Sequence, residues 1–179
     1  MIRRILHILL ISFSFVFLIG CDLGGLIEND TVETGEQDQH APVLSLEELE
    51  ETANFRDGAL GHILEGELNG SGKAVGFHYD GLPTKKGEVI AGTETDPNQQ
   101  GVYEAEVVVS GVEKVSNGGK STFFPKEWNA QEVVDAINEA YDAKQFITGN
   151  TYEGITSGGQ IIRMYVDHND LIISAFPVY

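Results

Sequence analysis

The sequence predicts an α+β domain built on antiparallel sheets, and three stretches carry that prediction. Across Val102–Val109, the residues Tyr103, Ala105, Val107 and Val109 alternate with Val102, Glu104, Glu106 and Val108, the period-two pattern of a half-buried strand. After Asn129, the apolar residues Val133, Val134, Ile137, Ala140 and Tyr141 recur at helical spacing on one face. At the C-terminus, the strand-like runs Gln160–Asp167 and Leu171–Phe176 flank His168-Asn169, which reads as a hairpin turn. Helices kept apart from strands that pair with their sequence neighbours indicate an α+β arrangement rather than repeated βαβ units.

In chain order, the first element is an export signal. Met1-Ile2-Arg3-Arg4 is a short basic stretch, and Ile5–Ile19 is apolar except for His7, Ser12 and Ser14. About fifteen apolar residues suit a signal-peptide core and fall short of the roughly twenty needed to span a bilayer. The run ends in Leu18-Ile19-Gly20-Cys21, which resembles the lipobox of bacterial lipoproteins. There a small residue before the cysteine admits the signal peptidase, and the thiol of Cys21 then takes the lipid. Cys21 is the only cysteine, so no disulfide within the chain is available. The expected layout is a signal over 1–20, a flexible acidic tether over 21–44 and a folded domain over 45–179. The mature protein is expected to be exported and lipid-anchored to the bacterial cell membrane through Cys21.

The tether is assigned from composition, because residues 22–44 lack apolar periodicity and are rich in Gly, Glu, Asp, Gln and Thr. Ser45 with Glu48 three residues on forms a capping-box pattern, which predicts a short helix. A glycine-rich region from Gly58 to Gly92 follows, broken by short apolar pieces. Strands are expected at Glu88–Ala91, Val102–Val109, Gly111–Val115 and Ser121–Phe124. Asn129 and Glu132 give a second capping box before the amphipathic helix, and Thr151–Thr156 opens the C-terminal strands.

The formal charge is -17. Residues 22–57 hold eleven acids against Arg56 alone, and residues 58–179 hold seventeen acids against eight bases. Such a balance excludes a broad basic coat for nucleic acid, so a phosphate ligand would need a local positive pocket. The absence of a Cys/His cluster, a His-Glu-x-x-His pair, a P-loop and a nucleophile elbow excludes the common zinc-protease, NTPase and α/β-hydrolase signatures. No metal or cofactor is expected.

Of the five histidines, His7 lies in the signal, His40 in the tether and His168 in a turn. His62, in Gly61-His62-Ile63-Leu64-Glu65-Gly66, and His78, in Gly72-Lys73-Ala74-Val75-Gly76-Phe77-His78, are instead set among glycines that let backbone approach a ligand. With an ordinary pKa near 6.5, one imidazole can accept a proton while another donates one. Two are therefore suited to cutting a phosphodiester without a metal. Spacing alone does not separate this from two structural histidines.

Four motifs in order extend the pattern: the two histidine segments, Lys120-Ser121-Thr122-Phe123-Phe124-Pro125 before a Trp128-led helix, and Ile172-Ile173-Ser174-Ala175-Phe176-Pro177. Together, from about Gly58 to the C-terminus, they resemble the bacterial branch of the EndoU ribonuclease family. The resemblance implies a fold similar to pancreatic-type ribonucleases and an endoribonuclease that uses no metal. Such an enzyme cleaves single-stranded RNA, often beside uridine, by 2′-hydroxyl attack and leaves a 2′,3′-cyclic phosphate; DNA, lacking that hydroxyl, is not a substrate. It further implies His62 as general acid, His78 as general base and Lys120 as the cation on the phosphorane, with Lys114 and Lys73 as alternatives for the last role. Ser174 and Phe176 would contact and stack on the base, with Ser121 and Thr122 either touching the base or pairing across the sheet. Phe176 stands where the family often has tyrosine, which keeps stacking and removes a phenolic hydrogen bond. Many bacterial members are toxin tips paired with an immunity protein, so a cognate immunity partner is expected. The competing expectation, favoured by the acidic balance, is a catalytically inactive lipoprotein binding module on the same fold.

Overall fold

A computed structural model describes residues 43–179. The expected signal, Cys21, His40 and all but the end of the tether lie outside the described residues. The elements are α1 (Ala59–Leu64), β1 (Glu67–Leu68), β2 (Ala74–Val75), β3 (Gly87–Val89), β4 (Tyr103–Val109), β5 (Val112–Glu113), β6 (Lys120–Phe123), α2 (Ala130–Asp142), β7 (Gln145–Thr148), β8 (Thr151–Ile155), β9 (Ile161–Val166) and β10 (Ile172–Pro177). The fold is α+β, and the ladders between these strands are antiparallel.

Three sheets result. β1 and β2 form a small hairpin; β10-β9-β8-β7 form a meander; β3-β4-β5 form the third sheet, with β6 also paired to β4. β4 behaves as its alternation dictates, with Tyr103, Ala105, Val107 and Val109 buried and Glu106 exposed. The hairpin between β9 and β10 turns through 167–171. There the Asp167 carboxylate accepts the amides of Asn169 at 2.8 Å and Leu171 at 3.0 Å.

α2 is the main helix and starts where the sequence says. The Asn129 side chain accepts the Glu132 amide at 3.0 Å, and Glu132 accepts the Asn129 amide at 2.6 Å. A cap of this kind contributes about 1 kcal/mol. The helix lays Val133, Val134, Ile137 and Ala140 on the inner face of the meander, against Ile162 and Met164. Gly154 of β8 permits the closest approach: a Cβ there would lie 1.8 Å from the Ala140 carbonyl oxygen. A second, smaller core joins Phe77, Tyr103, Ala105, Val107 and Phe123. Phe123 and Phe124 are both buried as core residues, and Trp128 stacks on Phe124 at the helix start.

Three elements differ from the sequence reading. The Ser45 segment makes a single 3₁₀ turn, Leu46–Glu48, without the side-chain-to-backbone cap that a longer helix would need. Glu48 instead accepts from the Leu44 amide and the Ser45 hydroxyl. The glycine-rich region contains α1, and β7 forms the exposed edge of the meander. β10 packs against both α1 and β6, so the seam between the two larger sheets brings three separated parts of the chain together.

Candidate active site

At that seam is a cleft of about 260 Å³. His62, His78, Lys120, Ser121, Thr122, Ser174 and Phe176 all line it, as do Lys114, Glu104 and Tyr165. Lys73 is exposed and does not line it.

His62 stands in the last turn of α1, not in a loop. Its carbonyl accepts the Phe77 amide at 3.0 Å, and the Ile63 carbonyl accepts the His78 amide at 2.7 Å. Backbone hydrogen bonds thus tie the helix of one histidine to the loop of the other. Gly76 makes this possible, with φ at 73° and no side chain to strike the helix.

The two imidazoles have different settings. His78 Nδ1 lies 2.8 Å from the Thr122 carbonyl oxygen, which can only accept, so Nδ1 carries the hydrogen. Its Nε2 then holds the lone pair and has no partner among the described residues. The residue is only 7% exposed, and its ring stacks on Phe176 with centroids 5.2 Å apart. Burial, helped by the charge of Lys114, pushes His78 down to about 3, so the ring is neutral at physiological pH.

His62 is more open. Its Nδ1 lies 3.0 Å from a Glu67 carboxylate oxygen, which fixes Nδ1 as a donor. Its Nε2 lies 3.1 Å from Ser174 Oγ at the cleft. Nε2 is therefore the ring nitrogen through which a proton can pass to or from a ligand. A pair of imidazoles, one held neutral with a free lone pair and one presenting Nε2 through a hydroxyl, can take up one proton and deliver another.

Lys120 is half-buried at the rim, with Nζ 3.6 Å from a Glu104 carboxylate oxygen. Thr122 shares its face of β6. Ser121 points the other way: it is buried, and its hydroxyl donates to the Gly76 carbonyl at 3.0 Å and accepts from Lys114 Nζ at 2.7 Å. That hydroxyl is engaged by Lys114 and the Gly76 carbonyl at the wall of the cleft. Phe176 is half-buried, packed between His78 and Tyr165 as a wall of the cleft. Glu67 and Tyr165 went unnoticed in the sequence, which gives no local sign that either reaches a histidine or its neighbour. Among the described residues, no three of His, Cys, Asp and Glu are grouped closely enough to hold a metal ion.

Comparisons with known proteins place the chain among relatives. A protein of Bacillus cereus named "Toxin" is 52% identical to this chain over 129 residues, covering 72% of the chain and 24% of that protein. The chain therefore spans about a quarter of the length of its relative. No solved structure matches it. Residues 56–179, which include the whole cleft, match the profile of the bacterial EndoU nucleases. The chain belongs to the bacterial EndoU nuclease family.

Proposed function

We propose that this nuclease cuts single-stranded RNA by attack of the RNA's own 2′-hydroxyl, leaving a 2′,3′-cyclic phosphate and a free 5′-hydroxyl. The observation that carries the reading is the pair of histidines in one cleft with Lys120, their ring nitrogens held in different roles. His78 Nε2 takes the proton of the 2′-hydroxyl as that oxygen attacks phosphorus. His62 Nε2 gives a proton to the departing 5′-oxygen, with Ser174 and Glu67 holding the ring in place. Lys120 leaves Glu104 for the phosphorane, where a fixed cation is worth several kcal/mol in a sheltered site. Phe176 and Thr122 border the space for the base, and stacking on an aromatic ring contributes about 1–3 kcal/mol.

The wider setting belongs to the same proposal. The relative named "Toxin" supports a toxin role, which would require a cognate immunity protein to cover the cleft. Export and attachment to a membrane through Cys21, ahead of the acidic tether, would place the domain outside the cytoplasm. The experiment is cleavage of a short single-stranded RNA by wild type and by His62→Gln, His78→Gln and Lys120→Met. Each variant should keep its melting temperature and lose at least ~100-fold in kcat/KM. Folded histidine variants that cut at the wild-type rate would refute the assignment.

A further inference from the structure

Lys114 is a buried cation that the proposed reaction does not use. It follows β5, is 7% exposed, and donates from Nζ to the Gly76 carbonyl at 3.2 Å and to Ser121 Oγ at 2.7 Å. Among the described residues no carboxylate pairs with it, although buried lysines ordinarily have such a partner. Glu104, the carboxylate lining the same cleft, is engaged by Lys120. Both partners of Lys114 lead to His78. Gly76 begins the turn that carries it, and Ser121 precedes Thr122, whose carbonyl holds its Nδ1. A neutral donor would satisfy the Gly76 carbonyl and the Ser121 hydroxyl equally well, so the hydrogen bonds alone do not account for a full charge at this depth.

We infer that Lys114 is a positioning residue for this site: its ammonium ties the His78 loop to β6 and, as a fixed positive charge beneath the cleft, keeps the His78 imidazole uncharged and ready to accept a proton. The inference rests on the proton-accepting role proposed above for His78. The Thr122 carbonyl from β6 and the Phe176 ring from β10 contact that imidazole, and the other charged or titratable groups sharing its cleft are His62 from α1, Lys120 from β6, Glu104 from β4 and Tyr165 from β9. After burial itself, Lys114 is the largest influence lowering His78, ahead of His62. Burial also pushes Lys114 down to about 8, so its charge is present at neutral pH and is lost in mild alkali.

The test is an NMR titration of the His78 ring in the full chain, without RNA, for wild type, Lys114→Gln and Lys114→Arg. Gln retains two donors and removes the charge; Arg retains the charge. The Gln variant should raise the His78 midpoint by roughly one pH unit, and the Arg variant should leave it unchanged. The acid limb of kcat on a short single-stranded RNA should follow the midpoint upward, with KM within about twofold. A folded Gln variant with an unmoved His78 midpoint overturns the inference. If the Gln variant does not fold, wild type still decides. Its neutral His78 ring should show a second inflection near pH 8, matching the Lys114 side chain, and a flat response there also overturns it. Because the titration needs no turnover, absence of RNA cleavage would sink the proposed reaction and leave this linkage standing.

Discussion

A Cβ on Gly76 would lie 2.0 Å from the carbonyl oxygen of His62. The two candidate catalytic segments therefore meet backbone to backbone, with no side chain between them. The same His62 oxygen accepts the Phe77 amide, and Phe77 itself sits at φ 62°, a left-handed conformation that a bulky residue adopts only when its surroundings enforce it.

Gly76→Ala should accordingly damage both fold and activity. Its φ of 73° strains any side chain, and the contact with His62 is with backbone that cannot swing away. We expect a loss of more than about 1 kcal/mol in stability and a larger loss in cleavage, since His78 moves with the loop. Urea unfolding and single-turnover cleavage measure the two effects. A variant equal to wild type in both would show that the close approach is not needed.

Acid should destabilise the protein through His78. The native ring is held at about 3, whereas the unfolded chain titrates near the ordinary 6.5. Above pH 6.5 the ring is neutral in both states and its contribution to stability is complete. As pH falls from 6.5 toward 3, only the unfolded chain takes up the proton, and stability drops. The urea midpoint of wild type should therefore fall more steeply between pH 7 and 4 than that of His78→Gln. Parallel curves would mean that the buried ring is not held neutral.

Glu104→Gln should improve substrate capture. Removing this carboxylate frees Lys120 and takes a negative charge out of the cleft proposed to receive phosphate. A half-exposed pair of this kind is worth at most about 1 kcal/mol, so KM should fall two- to fivefold at low salt. The gain should fade as ionic strength rises. Unchanged KM at low salt would place the phosphate away from Lys120.

Gly154→Ala should separate α2 from the meander. The added methyl would overlap the Ala140 carbonyl, and neither backbone can yield cheaply. The expected loss is about 1–3 kcal/mol, as for other overpacked cores, read as a lower melting temperature. A wild-type melting temperature would contradict the packing described for this face.

What the sequence revealed follows from how strongly each element repeats. β4 and α2 were legible because their burial is periodic over seven and thirteen residues, and α2 also announces its start with Asn129 and Glu132. α1 was not, since six residues with Gly61 inside and Gly58 before them carry no helical period and are held by packing of Ile63 and Leu64. β7 is four exposed residues, so no burial pattern marks it. At the site, His62, His78 and Lys120 were legible as motif residues and are gathered in one cleft. Lys114 read as an alternative to Lys120 on the expected strand Gly111–Val115, because nothing near it in sequence reveals that Gly76 and Ser121 close over its ammonium. Ser121 and Thr122 read as either base contacts or cross-sheet pairs, because strand alternation does not tell which face looks into a cleft built from three separate segments.

The most direct test of the proposed chemistry is product analysis of a short single-stranded RNA incubated with the full chain in EDTA, beside the same RNA carrying one 2′-deoxy substitution at the cut site. The all-ribose strand should yield a 2′,3′-cyclic phosphate end, and the substituted position should not be cut. Equal cutting of the substituted strand would contradict that chemistry, because the attacking oxygen would then not be the RNA's own.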